Sequence, residues 1–129
     1  MEKSVAIFAT INFLIIGLSH LIQHNGWREF FHVLHANGRA GAFANGFLTL
    51  FTGSVIVAFH NVWSGVPMLL TLIGWAYLAK SLAIFLFPDW GVRSMATAQH
   101  ASVMKLRVAG VVLLALAVTC GTCVAVGMY

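Results

Sequence analysis

Apolar residues run almost without interruption through residues 5–22, 41–60, 66–87 and 108–129, and polar side chains collect in the stretches between them. A hydrocarbon core of roughly 30 Å takes about 20 helical residues to cross, and a chain in lipid must close its own backbone hydrogen bonds, which a helix does within one segment. The pattern predicts an all-α integral membrane fold, one domain over residues 1–129, with four spans packed as an antiparallel bundle. Between the first two spans the period changes: Trp27, Phe30, Phe31 and Leu34 recur at i, i+3, i+4 and i+7, against Arg28, Glu29, His32 and His35 on the opposite arc. That spacing predicts a short amphipathic helix over about 27–36, lying in the interface with its aromatic face in the acyl boundary. Asn37-Gly38 ends it, since both residues tolerate left-handed backbone.

The remaining connections are short. Residues 60–65 predict a tight hairpin, with Ser64 capping the third span and Pro67 in its first turn. Pro88-Asp89-Trp90-Gly91 is expected to stop that span, and the last helix to start at Ser94 or Thr97 and overhang as far as Arg107. Trp63 and Trp90, with Trp27, are placed as interfacial anchors. Lys3 before the first apolar run suggests a secretory leader, but no small-x-small cleavage site follows, so the run reads as a retained span.

Composition excludes a water-soluble domain: 60% of the 129 residues are hydrophobic, 8% are charged, and the mean hydropathy is +0.93. The formal charge of +4 forms no basic stripe, which argues against a nucleic-acid partner. Arg28, Arg39, Arg93, Lys105 and Arg107 fall on one side of the predicted bundle and Lys3 on the other. By the positive-inside rule, the long connections face the cytoplasm and both termini face the periplasm of a bacterial inner membrane.

Three groups of residues bear on chemistry. Lys80 stands eight positions before Pro88, roughly 12 Å inside its span at about 1.5 Å per residue. An ammonium there must snorkel or find polar neighbours. Asn45 falls at a broadly similar depth, His20 is shallower, Tyr77 lies one turn deeper, and Asn12 extends the set toward the midplane, so these five residues predict a small polar cavity facing the cytoplasm. The second group is histidine: His20 with His24, His32 with His35, and His100 share one side of the membrane, and imidazoles at such spacings suit zinc, iron or copper. The two pairs resemble the first histidine boxes of membrane fatty-acid desaturases and hydroxylases, although the chain's six histidines fall short of a full set and include no doublet. The third is Cys120-Gly121-Thr122-Cys123, which resembles the C-x-x-C of the thiol oxidases related to vitamin K epoxide reductase but lacks a second cysteine pair. No catalytic residue is assigned and no cofactor is expected. Glu2, Glu29 and Asp89 are the only carboxylates, too few and too scattered for paired acid–base work.

Small residues mark the expected contact faces: Ala42, Gly46 and Gly53 on the second span, and Ala117, Gly121 and Ala125 on the fourth. Together with stretches such as Phe43-Ala44-Asn45-Gly46-Phe47 and Leu72-Ile73-Gly74-Trp75, the layout resembles the small four-span proteins of bacterial inner membranes. The leading expectation is a non-enzymatic accessory or structural subunit, a homo-oligomer or part of a larger membrane complex, that associates through those faces. The first alternative is a small transporter, channel or lipid-binding module built around Lys80. The second is a membrane redox enzyme using a histidine-bound metal or the cysteine pair.

Overall fold

A computed structural model describes residues Met1–Tyr129. It contains six helices and no strand: α1 (Glu2–Ile22), α2 (His24–Ala36), α3 (Gly38–Phe59), α4 (Met68–Leu86), α5 (Pro88–Gln99) and α6 (Val103–Ala125). Four of them, α1, α3, α4 and α6, are long and apolar enough to cross a membrane.

The junctions follow from local chemistry. Only Gln23 separates α1 from α2, so α2 begins three residues before the aromatic pattern does. At its other end Asn37 Nδ2 donates to the Val33 carbonyl at 2.7 Å, and Gly38 turns the chain with φ +58°. The turn is tight enough that a Cβ on Gly41 would run into the Leu34 carbonyl. Between α3 and α4 the fastening residue is Thr71. Its hydroxyl donates to the Val62 carbonyl at 2.9 Å, accepts the Val62 N–H at 3.0 Å, and lies 3.1 Å from His60 Nδ1. Ser64, expected as a cap, makes no capping bond; Pro67 itself stands at the N-cap of α4.

The region after α4 departs from the sequence reading. Pro88 does not simply stop a span; it is the first residue of a separate helix, where its missing N–H costs nothing. That helix buries Gly91 and Met95, one turn apart, against Leu34, Ala42 and Ile84. The chain then breaks over residues 100–102, and α6 starts afresh with Ser102 Oγ accepting the Lys105 N–H at 3.2 Å. The last helix therefore has no overhang from Ser94 or Thr97.

The four long apolar helices pack as two pairs, α1 on α6 and α3 on α4. Glycine makes both contacts close. A Cβ on Gly17 would stand 3.0 Å from the Gly110 carbonyl oxygen, and one on Gly74 would stand 2.5 Å from Ile56 Cγ2. One buried cluster joins the pairs near the His60 end, with Val5, Ala9, Phe13, Ile56, Leu70 and Cys120 among its members. A second, of Leu34, Ala42, Ile84 and Met95, lies at the α2–α5 end. Along α4 the first cluster holds Leu70 and Ile73 and the second holds Ile84. Tyr77 and Lys80 fall in the gap between them.

Candidate functional site

That gap is a cavity of about 320 Å³. Its polar walls are Asn12 and His20 from α1, Thr49 and Thr52 from α3, and Tyr77 and Lys80 from α4. Phe13, Ile16, Leu48 and Leu113 supply apolar wall, and Trp27 and Phe31 reach in from α2. Leu48 is 58% exposed and stands at the rim, on the side where α1 and α3 touch far less than the members of either pair do.

The hydrogen-bond state of each polar wall is readable. His20 Nδ1 lies 2.9 Å from the Ile16 carbonyl oxygen. A carbonyl only accepts, so Nδ1 is the donor in this bond, and in the neutral ring Nε2 is the acceptor. Trp27 holds this arrangement: its ring stacks on His20 at 4.2 Å and an interplanar angle of 22°, and its Nε1–H donates to Ser19 Oγ at 2.9 Å. Asn12 spends one N–H on the Phe8 carbonyl at 2.8 Å, leaving Oδ1 as an acceptor. The hydroxyls of Thr49 and Thr52 turn their protons back onto their own helix, Thr49 to the Gly46 carbonyl at 3.0 Å and Thr52 to the Leu48 carbonyl at 3.0 Å.

Lys80 is different. It is half-buried and has no hydrogen bond or ion pair within the chain; the sole salt bridge joins Arg39 to Asp89 at 3.0 Å. Of the three carboxylates, Asp89 is thus engaged, Glu29 is exposed on α2, and Glu2 opens α1 at the opposite end. None lines the cavity.

Four of the five residues expected around Lys80 converge here: Lys80 itself, His20, Tyr77 and Asn12. Asn45 does not. It sits one turn from Thr49, where its carbonyl accepts the Thr49 hydroxyl at 3.2 Å, and its side chain is outside the walls. Thr49, Thr52 and the indole of Trp27 were not expected there. The signal for the threonines was present, because Asn45, Thr49 and Thr52 form a polar stripe at helical spacing in an otherwise apolar span.

The other candidate groups have structural surroundings. His32 Nδ1 lies 2.8 Å from Gln99 Oε1 and His35 Nδ1 lies 3.2 Å from the Val92 carbonyl, so both tie α2 to α5. His24 is half-buried, its Nδ1 without a partner, and His100 borders an open recess beside Arg93 and Lys105. No three His, Cys, Asp or Glu side chains gather as a metal-ligating group. Cys120 and Cys123 are buried and unbridged, with Cys120 packed in the cluster that α1 and α6 share.

The faces assigned to packing and to the interface are largely used inside the chain. Ala42, Gly46 and Gly53 meet Gly91, the Ile84–Phe85 pair and Gly74 respectively, and Ala117 belongs to the α1–α6 cluster. Gly121 faces Thr10, while Ala125 is exposed. Leu34, expected at the lipid boundary, is instead core, and Phe31 packs against that core. The reason is that α5 supplies a second helix for the apolar face of α2 to cover. Phe30, Trp63 and Trp90 remain exposed.

Comparison with protein-family models, with curated proteins and with solved structures found no match.

Proposed function

We propose that the chain is a small membrane-embedded ligand-binding module, a lipid-binding or transport unit whose cavity opens toward the cytoplasmic half of the bilayer. One observation carries this reading: Asn12, His20, Thr49, Thr52, Tyr77 and Lys80, drawn from three helices, line a single cavity in which the lysine has no partner. A charge in the middle of a span costs about 2.5–3.5 kcal/mol or more unless something solvates it. Snorkelling to the headgroups would relieve that cost. It does not account for a histidine whose Nδ1 is engaged by the Ile16 carbonyl of its own helix and whose ring lies under the indole of Trp27 from α2.

Association with other spans is supported less, because most of the small residues that would mediate it already close the two internal pairs. The test is the molecular load of the protein after gentle extraction. Wild type should carry a small molecule in stoichiometric amount, and Lys80→Met should lose it while keeping the helical content and elution volume of the wild type. Equal loads in both proteins would end this reading.

A further inference from the structure

On the reading that the cavity binds a ligand, we infer that the ligand is a singly charged acidic amphiphile: one ionised carboxylate or phosphodiester seated on Lys80, its acyl chain leaving between α1 and α3 into the bilayer. The charge follows from what the walls lack. Lys80 is the only charged side chain on the cavity, and no carboxylate of this chain reaches it. The counter-ion must therefore come from outside the chain. In a medium of low dielectric one ammonium balances one negative charge; a second negative charge would be left buried and unpaired, at a cost of several kcal/mol. That sets phosphate monoesters and nucleotides aside.

The tail follows from the shape of the walls. Phe13, Ile16 and Leu113 line the cavity beside the polar side chains and give it an apolar surface. The rim at Leu48 is exposed on a long apolar helix, on the side where α1 and α3 touch far less than the members of either pair do, so the open side faces acyl chains. An inorganic anion would leave this surface uncovered. An acyl chain covers it and needs no desolvation on leaving, because the bilayer is equally apolar.

The acceptors refine the head. His20 Nε2, Asn12 Oδ1 and the Thr49 and Thr52 oxygens can take hydrogen bonds, whereas Lys80, Tyr77 and the second Asn12 N–H can give them. A phosphoglycerol head supplies hydroxyl donors for the acceptors as well as the anion. A fatty acid supplies the anion alone.

The experiment uses the full chain in a neutral detergent, with oleate, dioleoyl phosphatidylglycerol or dioleoyl phosphatidylcholine added and bound molecules counted by native mass spectrometry. One oleate or one phosphatidylglycerol should bind, with phosphatidylcholine weaker by about tenfold or more. Lys80→Met should abolish the preference for the acidic species, Lys80→Arg should keep it, and Arg107→Gln, away from the cavity, should keep it too. Binding of oleate alone assigns the carboxylate source, and of phosphatidylglycerol the phosphodiester source. Phosphatidylcholine binding as tightly as the acidic lipids, or an acidic preference that survives Lys80→Met, overturns the inference. If the co-purified load still depends on Lys80 but proves neutral, the ligand class is wrong and the binding reading stands.

Discussion

Thr71 shows how much one hydroxyl can hold. It satisfies both backbone groups of Val62 and contacts His60 Nδ1, so the α3–α4 turn is fastened from inside α4 rather than by the turn's own residues. Thr71→Val should destabilise the protein by about 1–3 kcal/mol, because buried polar groups would be left without partners. The midpoint of unfolding in a denaturing detergent titration measures it, and an unchanged midpoint would contradict the assignment. At the α2–α3 turn the constraint is steric. Gly41→Ala should abolish folded, monodisperse protein, since the added methyl meets the Leu34 carbonyl. Gly121→Ala, whose methyl would meet only Thr10 Cγ2 at an ordinary 3.4 Å, should behave as wild type in size-exclusion chromatography. Asn37-Gly38 was legible as a turn because its chemistry is local. The role of Thr71 was not, because it depends on which buried groups happen to need a partner.

Among the elements, the four long apolar helices could be read directly, since hydrophobic length needs no tertiary information. Helix α5 could not. Its residues, PDWGVRSMATAQ, bury only Gly91 and Met95, a pattern too sparse to separate an interfacial helix from a loop followed by the start of the next span. The same sparseness makes Met95 decisive. It is 1% exposed and contributes the principal apolar side chain that α5 buries, so Met95→Ala should cost about 2–5 kcal/mol. The Arg39–Asp89 pair also links α3 to α5, but both side chains are about two-thirds exposed, at 69% and 66%. Asp89→Asn should therefore leave the unfolding midpoint unchanged, and equal losses from the two variants would show that α5 is held by charge rather than by packing.

For the whole molecule, depth counted along the predicted spans sets Asn45 level with Lys80, His20 shallower, Tyr77 one turn deeper and Asn12 toward the midplane, and the structure gathers all of these but Asn45 around one cavity. Depth alone does not give rotation about a helix axis, so Asn45, at the right level, stands outside the walls while Thr49, one turn further on, lines them. The sidedness proposed from the cationic connections makes a separate prediction. A cysteine placed at Ala98, in a Cys120→Ala, Cys123→Ala background, should react with a membrane-impermeant maleimide only from the cytoplasmic side, and one at Asn61 only from the other. Labelling of both from the same side would contradict the proposed topology.

The order of the helices carries one more consequence. Because α1 pairs with the distant α6 while α3 pairs with α4, the two covalent ties between the pairs are α2, running from α1 to α3, and α5, running from α4 to α6. These crossbars are clipped to each other by His32 with Gln99, and Arg28 Nε adds a bond to the Ala101 carbonyl at 2.8 Å. The pairs are thus joined at both ends, by the core near His60 and by the crossbars, with the Lys80 cavity between the two joints. Loosening the contact between α2 and α5 would remove one of these two joints, leaving the spacing between the α1 wall and the α3 and α4 walls to the core near His60.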